Sequence, residues 1–483
     1  MGNYIRRGAN LFDPTSGALV GYVDINGVEQ LNSSGVTAVA SAAQLLTNKR
    51  AASLTPGSVY QTPEGFQYLA RSASNFVPLG NAPIISGTQT TICGDSFNAN
   101  AVINSNRQST LSIPGWTGTL TSQPFEVVAN GYRAVAGQSW ATINSGQLAA
   151  ALADPSEVVF ITCGPNVWLQ VATSTTIDQA MTDAAVVLDA LSAAKQLVVV
   201  SNSTPGVAAS HPRMYDVQMY NARIAALCDR YPNVVLADAY SSMVDTTSAT
   251  GDVLLAATYD NLLHPNMRGA MREGRAHAIA LAARTILIGR TATTVAGTPD
   301  FTTTGGTKTG GTITGNLPTG MRCNVSSGSA AVTLSTVNLT NAATAQAQLG
   351  VAITNAAGTL TRTDIDLGGT STAFNAGLQA GDTIRGWVGV RFKSFAQLDA
   401  FYAYLTVTGG GGTTTFGFSP HTSADLAPNV EVPFSAKIYM PPQTLGAGFT
   451  SLNLGVGAQL KANAAAAATF EVWGYQIEKV GAP

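Results

Sequence analysis

The sequence predicts a three-layer α/β domain built on a parallel sheet, with a small β-hairpin module before it and a β-sandwich after it. Between about residues 86 and 288, short Val-rich runs alternate with segments whose apolar residues recur at three and four positions, as strands and helices do in α/β proteins. Beyond about residue 316 helical patterns are scarce and apolar residues alternate with a period of two. Because a single core stops growing near about 250–300 residues, a chain of 483 residues is expected to contain several domains.

Residues 1–85 are predicted to form an attachment or assembly module. The Asn26-Gly27 pair lies between short alternating runs and indicates a hairpin. The Ala-rich stretch 36–52 predicts a short helix whose apolar stripe includes Val36 and Leu46. Such a stripe could join partner chains, but packing within its own chain is the more common use.

Residues 86–288 supply the predicted sheet and the helices that cover it. Short, Val-rich runs bounded by turn residues predict strands buried on both faces, over Glu126–Ala129, Val158–Thr162, Leu197–Ser201 and Val234–Ala237. Apolar residues spaced by three and four predict helices over Ile177–Lys195, Met214–Arg230 and Met267–Leu287. In parallel sheets of this kind, the chemistry lies in loops at the carboxyl ends of the strands.

The C-terminal region, residues 316–483, is predicted to be a β-sandwich that binds glycan or supports assembly. Before it, residues 289–315 are rich in Thr and Gly, which indicates a linker or the first turns of the new domain. Within it, Ile384 and Val388 belong to an alternating run with one apolar face. The run Ala464–Ala468 has helix propensity although its surroundings are rich in strands.

The composition excludes several classes of protein. Charged residues make up 11% of the chain and the net charge is −2, which argues against a nucleic-acid binder because such proteins need a basic surface. The 45% hydrophobic content argues against disorder. Four cysteines without a Cys-x-x-Cys pair argue against a disulfide scaffold and against zinc, and no metal or cofactor is expected. No long apolar run occurs, and none follows Arg6 and Arg7, so neither a membrane span nor an export signal is expected.

Four segments in chain order carry residues suited to nucleophilic chemistry. They are Thr91-Ile-Cys93-Gly94-Asp95-Ser96-Phe97, Ala134-Val-Ala-Gly137-Gln-Ser-Trp140, Thr162-Cys-Gly164-Pro-Asn166-Val-Trp168 and Tyr259-Asp260-Asn261-Leu-Leu-His264-Pro-Asn266. A serine at a strand-to-helix turn is well placed to be a nucleophile, although Gly-Asp-Ser alone is also a common helix N-cap. In their order and context the four segments resemble the four blocks of the SGNH (GDSL-like) hydrolase family. The resemblance covers roughly residues 86–288 and implies a flavodoxin-like fold and esterase activity.

By that resemblance Ser96 is the nucleophile, His264 is the general base, and Ser96, Gly137 and Asn166 form the oxyanion hole. A serine that attacks an ester carbonyl creates a tetrahedral oxyanion, so fixed hydrogen-bond donors must already face it. Imidazole is the side chain that both takes and returns a proton near neutral pH. Of the four histidines, His264 has the right sequence context, and His211 in another loop is a distant second.

Two departures from the family pattern concern the acid and the third block. The acid usually precedes the histidine by three residues, whereas Asp260 is four before His264 and Asn261 holds the usual place. Asp260 is the preferred partner of the imidazole, with Asn261 or a backbone carbonyl as the alternative. The third block commonly continues with Asp, but here Val167 follows Asn166.

Two cysteines and three tryptophans also lie in or near these segments. Cys93 and Cys163 are interpreted as small buried side chains behind the site. Trp116, Trp140 and Trp168 hint at a carbohydrate substrate, because aromatic rings stack on sugar rings, but core packing explains any one of them equally well.

The flanking regions suggest a biological role. A hairpin module, an esterase core and a Gly/Thr-rich, jelly-roll-like sandwich resemble phage tail fibre or tailspike proteins that remove O-acetyl groups from bacterial surface polysaccharide. The resemblance implies a trimer located in the virion tail among other tail proteins, which would also explain a glycan-directed enzyme without an export signal. The alternatives are a secreted bacterial carbohydrate acetylesterase, such as one acting on xylan, with a carbohydrate-binding module, and an inactive receptor-binding fibre.

Overall fold

The computed structural model describes residues 5–7, 10–12, 19–23, 29–31, 36–104, 107–109, 111–170, 176–206, 209–249, 254, 257–260, 263–297, 300–338, 347–355, 361–367, 377–396, 398–409, 412–419, 434–460 and 465–481. For a number of these, among them all the described residues before 36 as well as Trp168 and Asp260, the backbone alone is described. The predicted hairpin turn at Asn26-Gly27 lies outside the described residues. Within the described part of the chain, no helix has the length and apolar character needed to cross a membrane.

The N-terminal region consists of two small sheets and one helix. Its elements are β1 (Ile5–Arg7), β2 (Asn10–Phe12), β3 (Leu19–Val23), β4 (Glu29–Leu31), β5 (Thr37–Ala38), α1 (Ala42–Arg50), β6 (Val59–Gln61), β7 (Gln67–Ser72) and β8 (Asn75–Pro78). Strands β1 to β4 form one sheet and β5 to β8 the other. Helix α1 is shorter than the predicted 36–52, because the Ser41 hydroxyl accepts a hydrogen bond from the Gln44 N–H and caps the helix there. Val36 is therefore outside the helix and exposed, whereas Leu46 is buried in the core of its own chain.

An α/β layer structure follows. Its strands are β9 (Ile84–Ser86), β10 (Gln89–Gly94), β11 (Val102–Asn104), β12 (Arg107–Ser109), β13 (Glu126–Tyr132), β14 (Val158–Thr162), β15 (Leu197–Ser201), β16 (Val234–Ala237), β17 (Thr258–Asp260), β18 (His264–Pro265) and β19 (Thr285–Leu287). Its helices are α2 (Ser96–Ala99), α3 (Ile113–Thr121), α4 (Trp140–Gly146), α5 (Leu148–Ala153), α6 (Pro165–Gln170), α7 (Ile177–Ala194), α8 (Met214–Cys228), α9 (Ala239–Met243) and α10 (Met267–Arg284). The predicted strands after residue 150 have the observed bounds, and β13 runs three residues further than predicted.

Five of these strands form a parallel sheet in the order β13-β10-β14-β15-β16. Numbered along the chain this is 2-1-3-4-5, the flavodoxin-like order of doubly wound folds. Alternate residues of β14 pack on opposite faces. Val159 and Ile161 belong to the core beneath α4, α7 and α8, and Val158 and Phe160 to the core that includes Leu281 of α10. Burial on both faces explains why the strand sequences are continuously apolar.

The C-terminal region is built mainly from antiparallel strands in two packed sheets. Its strands are β20 (Ala292–Ala296), β21 (Thr307–Thr309), β22 (Thr312–Gly315), β23 (Met321–Ser327), β24 (Ala331–Asn338), β25 (Ala347–Asn355), β26 (Thr361–Leu367), β27 (Thr383–Ala396), β28 (Leu398–Gly409), β29 (Gly412–Ser419), β30 (Phe434–Tyr439), β31 (Gln443–Thr444), β32 (Ser451–Leu460) and β33 (Ala466–Val480). One sheet contains the order β25-β33-β27-β30 and the other β26-β32-β28-β29. Numbered along the chain, with the two-residue β31 left out, these are 1-8-3-6 and 2-7-4-5, the strand order of a jelly roll.

Period-two alternation correctly identified the inner face of the sandwich. Ile384, Val388 and Phe392 of β27 are fully buried in its core. The predicted linker 289–315 is not a free connection, because its residues form strands of the two sheets. β20 pairs with β33, β21 extends one sheet beside β23, and β22 extends the other sheet beside β24. Thr and Gly suit these edge strands and their turns, so the composition alone could not distinguish them from a linker.

The α/β and sandwich regions are joined by strand pairing and by buried charges. The hairpin β11–β12 extends a sandwich sheet, because β12 pairs in parallel with β29. At the start of β13, the Glu126 carboxylate bonds to Arg290 at 3.0 Å and to Arg385 of β27 at 3.3 Å, and Arg385 also bonds to Glu478 at 2.7 Å. Two positive and two negative side chains balance one another in this buried network, which is the condition under which charges are tolerated away from water.

Candidate active site

The site begins where β10 ends, at a turn that requires glycine. Gly94 has φ of +121°, and a Cβ at this position would lie 2.2 Å from the backbone oxygen of Thr162 on β14. Immediately after it, Asp95 caps the short helix α2, accepting a hydrogen bond from the Phe97 N–H at 3.1 Å. Ser96 is therefore the first helical residue, placed at the carboxyl edge of the parallel sheet. The predicted N-cap and the predicted nucleophile are neighbouring residues of the same turn.

Ser96 meets His264 across a sequence separation of 168 residues. The Ser96 hydroxyl oxygen and the His264 Nε2 are 2.8 Å apart, a normal hydrogen-bond distance, and both side chains are partly exposed. The Phe97 ring lies 5.5 Å from the imidazole, centroid to centroid. After His264, Asn266 caps helix α10 through a bond to the Gly269 N–H, so the histidine is held between a strand pair and a helix start.

The four-residue interval between Asp260 and His264 corresponds to a strand pairing. Strands β17 and β18 are antiparallel, and in their register Asp260 lies opposite His264. Directly opposed residues of an antiparallel pair have neighbouring Cα atoms, so the longer interval still brings the two backbones together. The Asp260 side chain and the whole of Asn261 lie outside the described residues, so the identity of the imidazole's partner stays a prediction.

Asn166 lies beside the turn that carries Ser96. Its side-chain amide donates to the Asp95 carboxylate at 3.3 Å, and the Thr162 hydroxyl donates to the same carboxylate at 2.9 Å. Burial raises the pKa of Asp95, and the hydrogen bonds from Thr162, Phe97 and Asn166 oppose that rise. Val167, which stands where the family commonly has Asp, is buried in the core under α7 and α8, so this position packs the fold.

Gly137 lies in an exposed loop that reaches the same edge of the sheet. It has φ of +79° and open space around it, so the chain there is shaped by glycine and remains accessible. Two bonds hold the loop. The Val135 N–H donates to the Gly94 carbonyl at 3.0 Å, and the Cys163 thiol lies 3.7 Å from the Gln138 carbonyl. The first three of the four predicted segments are thus connected at the ends of β10, β13 and β14.

The tryptophan prediction was wrong for two of its three residues. Trp116 and Trp140 are fully buried and cannot stack on a sugar. The Trp140 indole N–H donates to the Tyr220 hydroxyl at 3.0 Å, and that hydroxyl donates to the Cys163 carbonyl at 2.6 Å, so Trp140 fastens α4 to the third segment. Nearness in sequence to the site did not reveal which way the rings face. The Trp168 side chain lies outside the described residues.

The cysteines are buried free thiols, as the packing interpretation predicted. Cys93 and Cys163 are almost inaccessible and no disulfide joins them. Burial raises the pKa of the Cys93 thiol to about 12, so it stays protonated near neutral pH. His211, the second candidate for the base, is exposed, and its Nδ1 accepts a hydrogen bond from the Arg213 N–H in its own loop.

Two buried polar side chains of α10, Glu273 and His277, were not anticipated from the sequence. The His277 Nε2 lies 2.8 Å from the Ser201 hydroxyl, and its Nδ1 lies 2.8 Å from the Glu273 carbonyl oxygen. The Glu273 side chain is also buried, and burial, together with the negative charge of Asp95, raises its pKa well above the ordinary value. The available signal was a Glu and a His spaced by four on the apolar face of a predicted helix.

Comparisons with known proteins return structural likeness without sequence likeness. No protein-family model and no curated protein matches the chain. An acetylxylan esterase from Geobacillus stearothermophilus is 13% identical with a TM-score of 0.34, over 41% of this chain and 96% of that chain. A protein assigned to the G-D-S-L family of lipolytic proteins, from Desulfitobacterium hafniense, is 14% identical with a TM-score of 0.32, over 40% and 99%. A protein described as a GDSL-like lipase, from Parabacteroides merdae, is 15% identical with a TM-score of 0.33, over 42% of this chain and 97% of that chain.

We expect His277 to make the fold sensitive to acid. Burial lowers the pKa of His277 from 6.5 to about 4, so between these values the unfolded chain takes up a proton that the folded chain does not. The contribution of neutral His277 to the free energy of unfolding is therefore fully present above about pH 6.5. It is lost as the pH falls towards 4, by up to about 3 kcal/mol. Urea unfolding of wild type and His277→Gln at several pH values measures it. The difference in unfolding free energy between them should narrow with acidification by this amount.

The exposed His211 provides the control for this pH series. His211→Gln, a change of an exposed histidine in a loop, serves as the control for the loss of a histidine as such. Parallel curves for wild type and His277→Gln would show that His277 does not carry the effect.

Proposed function

We propose that this protein is a serine esterase that removes O-acetyl groups from bacterial surface polysaccharide. The observation that carries the proposal is the 2.8 Å contact between the Ser96 hydroxyl and the His264 Nε2 at the carboxyl edge of the parallel sheet. A nucleophile hydrogen-bonded to a base, beside amide groups on separate loops, is the arrangement that acyl transfer requires.

The chemistry follows from these groups. His264 takes the Ser96 proton as the hydroxyl oxygen attacks the ester carbonyl, and the protonated imidazole then gives the proton to the leaving sugar hydroxyl. Water, activated by the same histidine, releases acetate from the acyl-serine in a second cycle. The oxyanion is stabilised by the backbone N–H groups of Ser96 and Gly137 and by the Asn166 amide. An amide NH₂ has two hydrogens, so Asn166 can bond to Asp95 and still donate to the oxyanion.

The proposal of a polysaccharide substrate rests on the architecture of the chain. Trp116 and Trp140 do not support it, because both rings are buried. A jelly roll sits against the catalytic layers through the β12–β29 pairing and the Glu126 network. Sheets of this kind bind glycans in other proteins. A fixed neighbouring sheet gives a long chain a second surface next to the reacting ester, which a small acyl substrate does not need.

We further propose that the protein acts as a trimer in a phage tail, together with other virion proteins. The order of hairpin module, catalytic layers and sandwich supports this role, as does the unusually low charged fraction of 11%, which suits surfaces covered in an assembly. Light scattering of the purified chain is expected to give three times 49.6 kDa. A single-chain mass at micromolar concentration would contradict the trimer and leave the esterase proposal untouched.

Replacing the nucleophile tests the activity. Ser96→Ala should lower acetate release from O-acetylated bacterial polysaccharide by at least about 1,000-fold, since the acyl intermediate is proposed to form on this hydroxyl. Acetate is measured by enzyme-coupled assay, with acetylated xylan as a second substrate. Ser74→Ala, a change of an exposed serine in the N-terminal region, should match wild type. Equal rates for wild type and Ser96→Ala would rule out this esterase, and faster release from xylan would favour the bacterial xylan-type alternative.

The residue that orients His264 is tested separately. Asp260→Asn should lower kcat by about 1,000-fold to 10,000-fold, because an amide favours the wrong imidazole tautomer. Asn261→Ala should change kcat by less than about 3-fold, since the strand register pairs Asp260 with the histidine. Circular dichroism confirms that both variants fold. The opposite pattern of losses would assign the orienting role to Asn261.

A further inference from the structure

The buried side chain of Gln147 pairs with both polar backbone groups of Gly94. The Gly94 N–H donates to the Gln147 Oε1 at 2.8 Å, and the Gln147 Nε2 donates to the Gly94 carbonyl at 2.8 Å. Gln147 is 3% exposed and lies at the junction of α4 and α5, 53 residues from the glycine. Two short bonds from one planar amide fix both the position and the orientation of the peptide groups that they hold.

The Gln147 amide supplies hydrogen-bond partners at the point where the pairing of β10 with β13 ends. The Arg133 N–H still bonds to the Ile92 carbonyl, at 2.8 Å, but the paired register of β13 with β10 goes no further than Ile92 and Tyr132. Gly94 faces the same side as Ile92 because alternate residues of a strand do so. The Gly94 N–H would otherwise lack an acceptor there, and the glutamine amide oxygen supplies the acceptor that a strand would have supplied; the amide N–H adds a second donor to the carbonyl that Val135 already bonds.

The same carbonyl connects the nucleophile with the oxyanion loop. Besides the bond from Gln147, the Gly94 carbonyl accepts the Val135 N–H at 3.0 Å. Ser96 follows Gly94 by two residues, and Gly137 follows Val135 by two residues. A shift of Gly94 therefore moves the nucleophile, the proposed oxyanion donor, or the distance between them.

We propose that Gln147 is a positioning residue for the esterase, which sets the placement of Ser96 relative to Gly137 through the backbone of Gly94. The inference rests on the proposed function. Gln147 does not touch the substrate and so acts on the transition state more than on binding, because misplacement of reacting groups by about 1 Å costs on the order of 100-fold in rate.

The first test replaces the amide by an apolar side chain of similar volume. Gln147→Met should lower kcat by about 10-fold to 100-fold with KM changed by less than about 3-fold, because the turn loses both bonds while binding groups stay. The matched control is Gln196→Met, since Gln196 is equally buried and donates to the Phe76 carbonyl at 2.9 Å, far from the site. Gln196→Met should lose stability through its own missing bond and keep the wild-type kcat. Equal kcat values for the two variants would overturn the proposal.

The second test uses Gln147→Glu, which keeps the shape of the side chain. A protonated carboxyl can donate to the Gly94 carbonyl and accept from the Gly94 N–H, as the amide does, whereas a carboxylate can only accept. The ratio of the variant's kcat to that of wild type should therefore be near one at low pH and should fall by about 10-fold or more as the pH rises. A residue that only fills space would give a constant ratio, and that result would also overturn the proposal.

The failure of this inference can be told from the failure of the esterase proposal. Ser96→Ala is assayed in the same series, together with the rate at which a fluorophosphonate labels Ser96 in wild type. If Ser96→Ala is inactive and Gln147→Met is fully active, the esterase stands and the positioning role falls. If wild type neither releases acetate nor reacts with the fluorophosphonate, the esterase proposal falls and the positioning role falls with it.

Discussion

The close approach of the Gly94 turn to Thr162 is the constraint on which the site depends. With no room for a Cβ and a positive φ, only glycine lets β10 turn sharply enough to start α2 at the sheet edge. The turn brings the Asp95 carboxylate into the interior, where hydrogen bonds from Thr162, Asn166 and the Phe97 N–H take the place of water. A buried carboxylate without such donors would cost several kcal/mol. Ser96 is presented by a turn that packing and hydrogen bonds hold on both sides.

The sandwich is part of this framework. The segment that follows α2 becomes the hairpin β11–β12 and extends a sandwich sheet through β29. Ser96 therefore lies in the chain between β10 of the parallel sheet and β12 of the sandwich sheet. Phe97, directly after Ser96, and Met267, three residues after His264, belong to the same continuous core as the sandwich interior. Together with the charge network at Glu126, these contacts argue against a sandwich that swings freely on a linker. Domain boundaries drawn from composition missed this, because composition does not show which distant strand a short hairpin will join.

Particular segments show where sequence patterns succeed and where they do not. Val158–Thr162 was recognisable as a strand because burial on both faces leaves a continuous apolar run. For the run Ala464–Ala468 the local sequence points to the wrong element. Its propensity favours helix, but Ala466 and Ala468 lie in β33 and pack in the sandwich core. Trp140 shows a third case. Its position next to Gly137 suggested contact with substrate, whereas the ring turns inward to bond with Tyr220. Local spacing carries no information on which side of a loop faces solvent.

The sequence by itself determined four strands of the parallel sheet, the three longest helices of the α/β layers, part of the inner face of the sandwich, and the serine and histidine that form the candidate site. These depend on short-range periods and on residue types, which are written locally in the chain. Only the tertiary structure decided that Ser96 and His264 lie 2.8 Å apart, that Gln147 completes the edge of β10, and that β12 belongs to the sandwich. Each of these joins groups that are far apart in the chain, and a hydrogen bond between such groups exists only once packing has fixed both partners in place.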